Sequence, residues 1–193
     1  MPRVNYYAGI GSRETPEAIL ALMRRTAAVL YRRGWTLRSG GADGADHAFY
    51  AGVAQVPDYN PEQVKIYLGW NGMKGHGGIR LYEDPSRGFY NSTLYSTHEE
   101  AQLIAQGLHG AWEKLGNGGR LLHTRNVFQI LGDDLDSPVR MVICYAKPVG
   151  TSGAVKGGTN TAVKLALLKG IDVINLATEG GLARSNAFLE KHE

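Results

Sequence analysis

Val4-Asn5-Tyr6-Tyr7-Ala8-Gly9-Ile10-Gly11-Ser12-Arg13-Glu14-Thr15-Pro16 carries the signal that decides the fold. Val4 to Ala8 has strand character, Gly9 to Arg13 is a glycine loop, and Glu17 to Arg33 repeats apolar residues at helical spacing. Pro16 suits a first helical turn, where its missing N–H has no partner to lose, and Thr15 suits the cap. Gly34 ends this helix, and Trp35 to Ser39 reads as a second strand. A second glycine loop, Ser39-Gly40-Gly41-Ala42-Asp43-Gly44-Ala45-Asp46, leads into an apolar helix from His47 to Ala54, and Val64 to Leu68 reads as a third strand. Strand and helix alternate as β-α-β-α-β, the order that parallel strands joined by helical crossovers require, so the pattern predicts an α/β fold on a mainly parallel sheet.

Working outward, Gly69 to Ser96 loses all period and mixes Gly and Pro with Trp70, Tyr82, Phe89, Tyr90 and Tyr95. A stretch this long without regular pattern is usually functional or mobile. Thr97-His98-Glu99-Glu100 resembles a capping box opening a helix to about Leu115; Asn117-Gly118-Gly119 reads as a break and Arg120 to Leu131 as the next helix. Val139 to Tyr145 is apolar and β-branched on both sides, which places it centrally in the sheet. A third glycine loop, Gly150 to Gly158, precedes Thr159-Asn160 as a cap for a helix from Thr161 to Lys169, and Asp172 to Leu176 is a final strand. With no repeat and no linker, residues 1–193 read as one domain with an aromatic-rich insertion at about 69–96.

At 193 residues, 43% hydrophobic and 20% charged, the chain has the composition of a globular α/β domain with room for a substantial core. The lone Cys144 excludes an internal disulfide and sits in an apolar run, as a buried strand residue does. No run approaches the roughly 18 apolar residues of a membrane span, and no secretory leader is evident, so a cytoplasmic protein without membrane partners is expected. Net charge is +3, yet residues 1–38 hold seven Arg against two Glu, +5, leaving −2 elsewhere. Such a stripe suits either phosphate or a solvated helix face, and Arg24, Arg25 and Arg32 cluster opposite the apolar arc of their helix.

Each glycine loop follows a strand and precedes a helix. In open parallel sheets ligands bind beyond the carboxyl ends of the strands, where bare backbone N–H groups and helix N-termini favour anions. Gly-Ile-Gly-Ser matches neither the dinucleotide fingerprint nor the phosphate loop ending in Lys-Ser or Lys-Thr, so ATP hydrolysis of the latter type is not expected.

Ala8-Gly9-Ile10-Gly11-Ser12-Arg13 with Pro16, Ser39 to Asp46, Gly157-Gly158-Thr159 before an Ala-rich helix, and Gly170 to Asn175 together resemble the SLOG superfamily. That superfamily unites DNA-processing protein A (DprA/Smf) with the "lonely guy" phosphoribohydrolases, and Arg125-Asn126 to Gly132 is similar to a stretch of small phage or bacterial DprA-like proteins. The likeness covers residues 4–55 and 120–176. It implies a three-layer Rossmann-like fold binding a nucleotide, a nucleotide sugar or single-stranded DNA. It also implies phosphate at Gly11, Ser12 and Arg13, ligand contact at Gly40 and Gly41, and a second phosphate contact at Gly157, Gly158 and Thr159. The hydrolases follow the third motif with a glutamate, whereas this chain continues Asn160-Thr161-Ala162.

Further candidates come from the residues themselves. Asp43 and Asp46 lie three apart at a helix start, where capping or ligand contact would use them; Asp46 is the candidate catalytic acid or base. Arg13 matches phosphate as a bidentate fork. Gly9 and Ser39 flank the loops, and Arg125 with Asn126 would either donate to the ligand or face solvent. The histidines lack metal-ligand spacing, so neither metal nor cofactor is expected. The aromatic-rich segment suits a lid, a core or an interface, and with Lys74, Arg80 and Arg87 it also suits stacked single-stranded nucleic acid. Three functions stay open: capture of a nucleotide or nucleotide-derived molecule, N-glycosidic hydrolysis, and single-stranded DNA binding. A homo-oligomer is expected from the resemblance.

Overall fold

A computed structural model describes residues 4–193; Arg3, part of the basic N-terminal third, lies outside them. Helices and strands run in the order β1 (Asn5–Gly11), α1 (Glu17–Arg32), β2 (Trp35–Gly40), α2 (Ala45–Ala54), β3 (Val64–Leu68), β4 (Met73–Gly75), β5 (Ile79–Leu81) and β6 (Phe89–Asn91). They continue with α3 (His98–Leu108), α4 (Asn117–Leu131), β7 (Met141–Tyr145), α5 (Thr159–Leu168), β8 (Asp172–Asn175) and α6 (Glu179–His192). Six strands form one sheet in the order β6-β3-β2-β1-β7-β8, and every pairing in it is parallel. The fold is α/β, three-layered and Rossmann-like.

Alternation along the strands creates the two cores. Tyr7, Leu37, Ile66, Leu68 and Ile143 point to the face covered by α1, α2 and α6, while Ala8, Ile10, Tyr67, Val142 and Cys144 point to the face covered by α3, α4 and α5. Register places Ala8 between Arg38 and Val142, and Gly11 beside Tyr145. Gly9 is a packing glycine: a Cβ there would lie 2.5 Å from Cγ of Phe49, so its absence lets α2 close on β1.

Several expectations need correction. Pro16 stands at the N-cap of α1, and the Thr15 hydroxyl, instead of capping, donates to the Ser12 carbonyl at 2.7 Å. Thr97 makes no capping bond; its hydroxyl reaches the Asp133 carbonyl at 2.6 Å. The helix it precedes stops at Leu108, because Trp112 turns back into the core on a short 3-10 turn. Asn117-Gly118-Gly119 is no break but the first turn of α4, with Gly118 in van der Waals reach of the Trp70 ring. Helix α5 begins at Thr159 with Gly158 at the cap and no side-chain capping bond, and the Asn160 side chain instead accepts from the Val155 amide.

The segment 69–96 is more regular than its sequence suggests. It holds the antiparallel hairpin β4–β5 and the edge strand β6, parallel to β3. Phe89 and Tyr95 pack inward, the latter against Phe128 at 5.2 Å, whereas Tyr82 is exposed. On the basic face of α1, Arg24 pairs with Glu17 and Arg25 with Glu193, so two of those arginines are already partnered at the surface.

Candidate functional site

The chain order carries β2, β3 and β6 to one side of β1, then returns to place β7 and β8 on the other. The loops leaving β1 and β7 therefore diverge, one to α1 on one face and one to α5 on the opposite face. A crevice opens between them at the carboxyl ends of the strands, the usual ligand position in doubly wound sheets. Here it is a cavity of about 360 Å³. Gly11, Ser12 and Arg13 line one wall, Lys156 to Thr159 another, and Asp46, Arg125, Asn126 and Gln129 the floor.

On the first wall, the Ser12 amide is engaged by the Tyr145 carbonyl at 2.9 Å, so the loop continues the β1–β7 ladder instead of offering that N–H outward. The Ser12 hydroxyl oxygen accepts from the Glu14 amide at 3.1 Å, which leaves its proton to donate elsewhere. Gly44, at φ +76°, packs where a Cβ would touch the Ser12 carbonyl at 2.6 Å, so the loops after β1 and β2 support each other. The opposite wall is held by Asn126, whose Nδ2 donates to the Gly158 carbonyl at 2.8 Å, and by His123, whose Nδ1 meets the Thr161 hydroxyl at 2.7 Å. Burial and the neighbouring His109 hold the His123 imidazole down at about 4, so it is neutral at physiological pH.

The floor is built by α4. Leu122, Arg125, Asn126 and Gln129 follow the i, i+3, i+4, i+7 spacing of one helical face, which α4 turns toward the cavity. Arg125 Nη1 lies 3.4 Å from Asp46 Oδ2 and 3.5 Å from the Tyr67 carbonyl, with both charged side chains under a tenth exposed. Burial pushes the Asp46 carboxyl up from the ordinary carboxylate range, against the opposing pull of Arg125, the Ala42 and Gly11 amides and Arg13. Arg125 Nε and Gln129 Oε1 are buried without a hydrogen-bond partner. Such groups cost about 1–3 kcal/mol each unless something satisfies them.

The cavity thus gathers Gly11, Ser12, Arg13, Asp46, Arg125, Asn126, Gly157, Gly158 and Thr159. Other candidates stand apart from it. Gly9 packs against Phe49, and the Ser39 hydroxyl donates to the Gly9 carbonyl at 2.5 Å. Gly40 lies under the Arg125 guanidinium, 1.5 Å from a would-be Cβ, so it makes the space in which Arg125 meets Asp46. Gly41 faces Leu68 and Leu81, and Asp43 accepts from the Gly77 amide at 2.6 Å. Of the second glycine loop only Ala42 and, at its end, Asp46 reach the cavity wall. Sequence reasoning missed Gln129 and Lys156; the helical spacing from Arg125 points to the first, and adjacency to Gly157 to the second.

No protein-family model matches the chain, and no curated protein does. Among solved structures, DNA processing protein A from Helicobacter pylori, described for its single-stranded DNA binding mode, superposes with a TM-score of 0.40 at 14% identity. The superposition covers 98% of this chain and 82% of that one. No helix is long and apolar enough to cross a membrane among the described residues.

Proposed function

We propose that the chain binds a nucleotide or nucleotide-derived anion in the crevice between the β1 and β7 loops. The carrying observation is the composition of that cavity: an α5 N-terminus without a side-chain cap on one wall, Arg13 and Lys156 at the rim, and unpartnered buried polar atoms of Arg125 and Gln129 beneath. A helix N-terminus without a side-chain cap and its dipole favour a phosphate, and the guanidinium of Arg13 matches its oxygens. Its volume, about 360 Å³, is within the range of small-molecule pockets.

The test is a thermal-shift panel of mononucleotides, dinucleotides and inorganic phosphate on the full chain. A ligand at 100 times its Kd adds about 2.7 kcal/mol, which for a chain this size raises Tm by roughly 5–10 °C. Arg13→Ala and Lys156→Ala should each remove most of that shift without lowering the Tm of the unliganded protein. A panel without any stabilisation at millimolar concentration refutes the reading.

Asp46 supports a second reading, hydrolysis of an N-glycosidic bond. A carboxyl that burial pushes toward its protonated form, inside the cavity, is a competent proton donor to a departing base. Chromatography of free base released from bound nucleotides decides it: turnover lost in Asp46→Asn with binding retained supports catalysis, and no base release from any bound nucleotide refutes it.

A further inference from the structure

Beyond Arg13 and Leu122, which line both, the cavity adjoins a second recess of about 380 Å³. Trp70, Met73, Lys74 and Arg80 form its other walls. All but Trp70 and Leu122 of these come from the β1 loop or the β4–β5 hairpin. The Trp70 ring is half-buried, with its edge held over Gly118 at the start of α4. Among the described residues none of Arg13, Lys74 and Arg80 has a carboxylate partner. Three cations without an ion pair therefore line this recess together with Trp70.

The hairpin is also fixed in place. A Cβ on Gly75 would lie 1.6 Å from the Gly41 carbonyl, so the two backbones touch, and Asp43 anchors the hairpin tip through the Gly77 amide. The loop that grips the hairpin runs directly into Asp46 and α2. The second glycine loop thus sets the distance between the two recesses, which accounts for Gly41, a glycine that does not face the first cavity.

We infer that the bound molecule extends past Arg13 onto the hairpin and is of the dinucleotide class, two ring-bearing units bridged by phosphate. One unit occupies the cavity between the β1 and β7 loops, the bridging phosphates lie against Arg13 with Lys74 and Arg80 beyond, and the second ring stacks on Trp70. Bases stack on aromatic side chains whatever their sequence, because every base has a π-face, and guanidinium groups match phosphate oxygens bidentately. This rests on the nucleotide reading of the first cavity and adds to it the identity of the ligand's other half.

Calorimetric titration of the full chain with AMP and with diadenosine pyrophosphate tests the inference, using Trp70→Ala and the exposed Lys74→Ala as variants. The dinucleotide should bind at least tenfold more tightly than AMP. Each variant should cut that advantage severalfold or more while leaving AMP affinity within twofold, and quenching of tryptophan fluorescence by the dinucleotide should vanish in Trp70→Ala. Lys74→Ala keeps the test valid should Trp70→Ala fail to fold. AMP and dinucleotide binding with equal affinity, or both variants weakening the two ligands equally, overturns the inference while leaving the nucleotide reading standing. Binding of neither overturns both. Retention of a ten-nucleotide single strand with no binding of the free dinucleotide overturns it in favour of a nucleic-acid strand.

Discussion

Replacing Arg125 by Met leaves the Asp46 carboxyl buried beneath the sheet edge without its counterion. The Nη1–Oδ2 separation is 3.4 Å, and at an effective dielectric constant near 20 that distance corresponds to about 5 kcal/mol of attraction. Removing one member of a buried pair commonly costs about 3–5 kcal/mol for the same reason. The penalty depends on pH, because burial already raises the Asp46 pKa and Arg125 opposes that rise, so the variant lifts it further. A carboxyl raised in the folded state binds more protons folded than unfolded above its unfolded value of about 4. Stability therefore falls as pH rises from about 4 to the folded value, by at most about 1.4 kcal/mol per pH unit, and the loss is complete above it. Urea denaturation at pH 5 and pH 8 should show Arg125→Met much closer to the native protein at pH 5, and Asp46→Asn in the same chain should recover most of the pH 8 deficit. A deficit equal at both pH values and unrelieved by Asp46→Asn refutes the buried-pair account.

Four other outcomes follow from single contacts. Gly9→Ala drives a methyl into the Phe49 ring and should cost roughly 1–3 kcal/mol in urea denaturation; an unchanged midpoint would mean α2 does not press on β1. Asn126→Ala loses the bond to the Gly158 carbonyl, so stability should drop by about 1 kcal/mol and calorimetric nucleotide affinity severalfold, and intact affinity would show that the α5 loop holds itself. Burial pushes the Cys144 thiol up to about 12, so labelling by a disulfide reagent at pH 8 should track global unfolding, and rapid labelling of the native protein would contradict the buried strand. His76 is held at about 4 by burial and by His47. Its ring resonances in a proton NMR titration should stay neutral until that pH, and stability should fall as pH drops from about 6.5 toward 4 because the unfolded imidazole protonates first. A transition near 6.5 would refute it.

Much of the fold was legible because it is local. Apolar residues at helical spacing after Pro16, a strand that is apolar on both sides at Val139 to Tyr145, and glycines at the ends of the first three strands specify parallel β-α units without reference to the rest of the chain. The hairpin, the edge strand β6 and the early end of α3 were hidden. Their residues pair with or pack on distant partners, Gly41 for β4, Val64 to Leu68 for β6 and the second core for Trp112, and no spacing within the segment records those partners.

The site divides in the same way. The loops at Gly11 to Arg13 and Gly157 to Thr159 could be read from residue type and position, since any loop leaving a parallel strand for a helix brings amides to the carboxyl edge. Which loops meet depends on strand order. β1 and β7 become neighbours only once the chain has crossed to the far side of the sheet, and that adjacency opens the crevice between their loops. Glycines of the loop after β2 look the same in sequence yet serve a packed hairpin and a buried ion pair. Sequence by itself therefore determined the elements and the kind of chemistry their ends can do. The tertiary structure decided which ends share one cavity, because proximity across a sheet is set by long-range pairing and packing that no local pattern encodes.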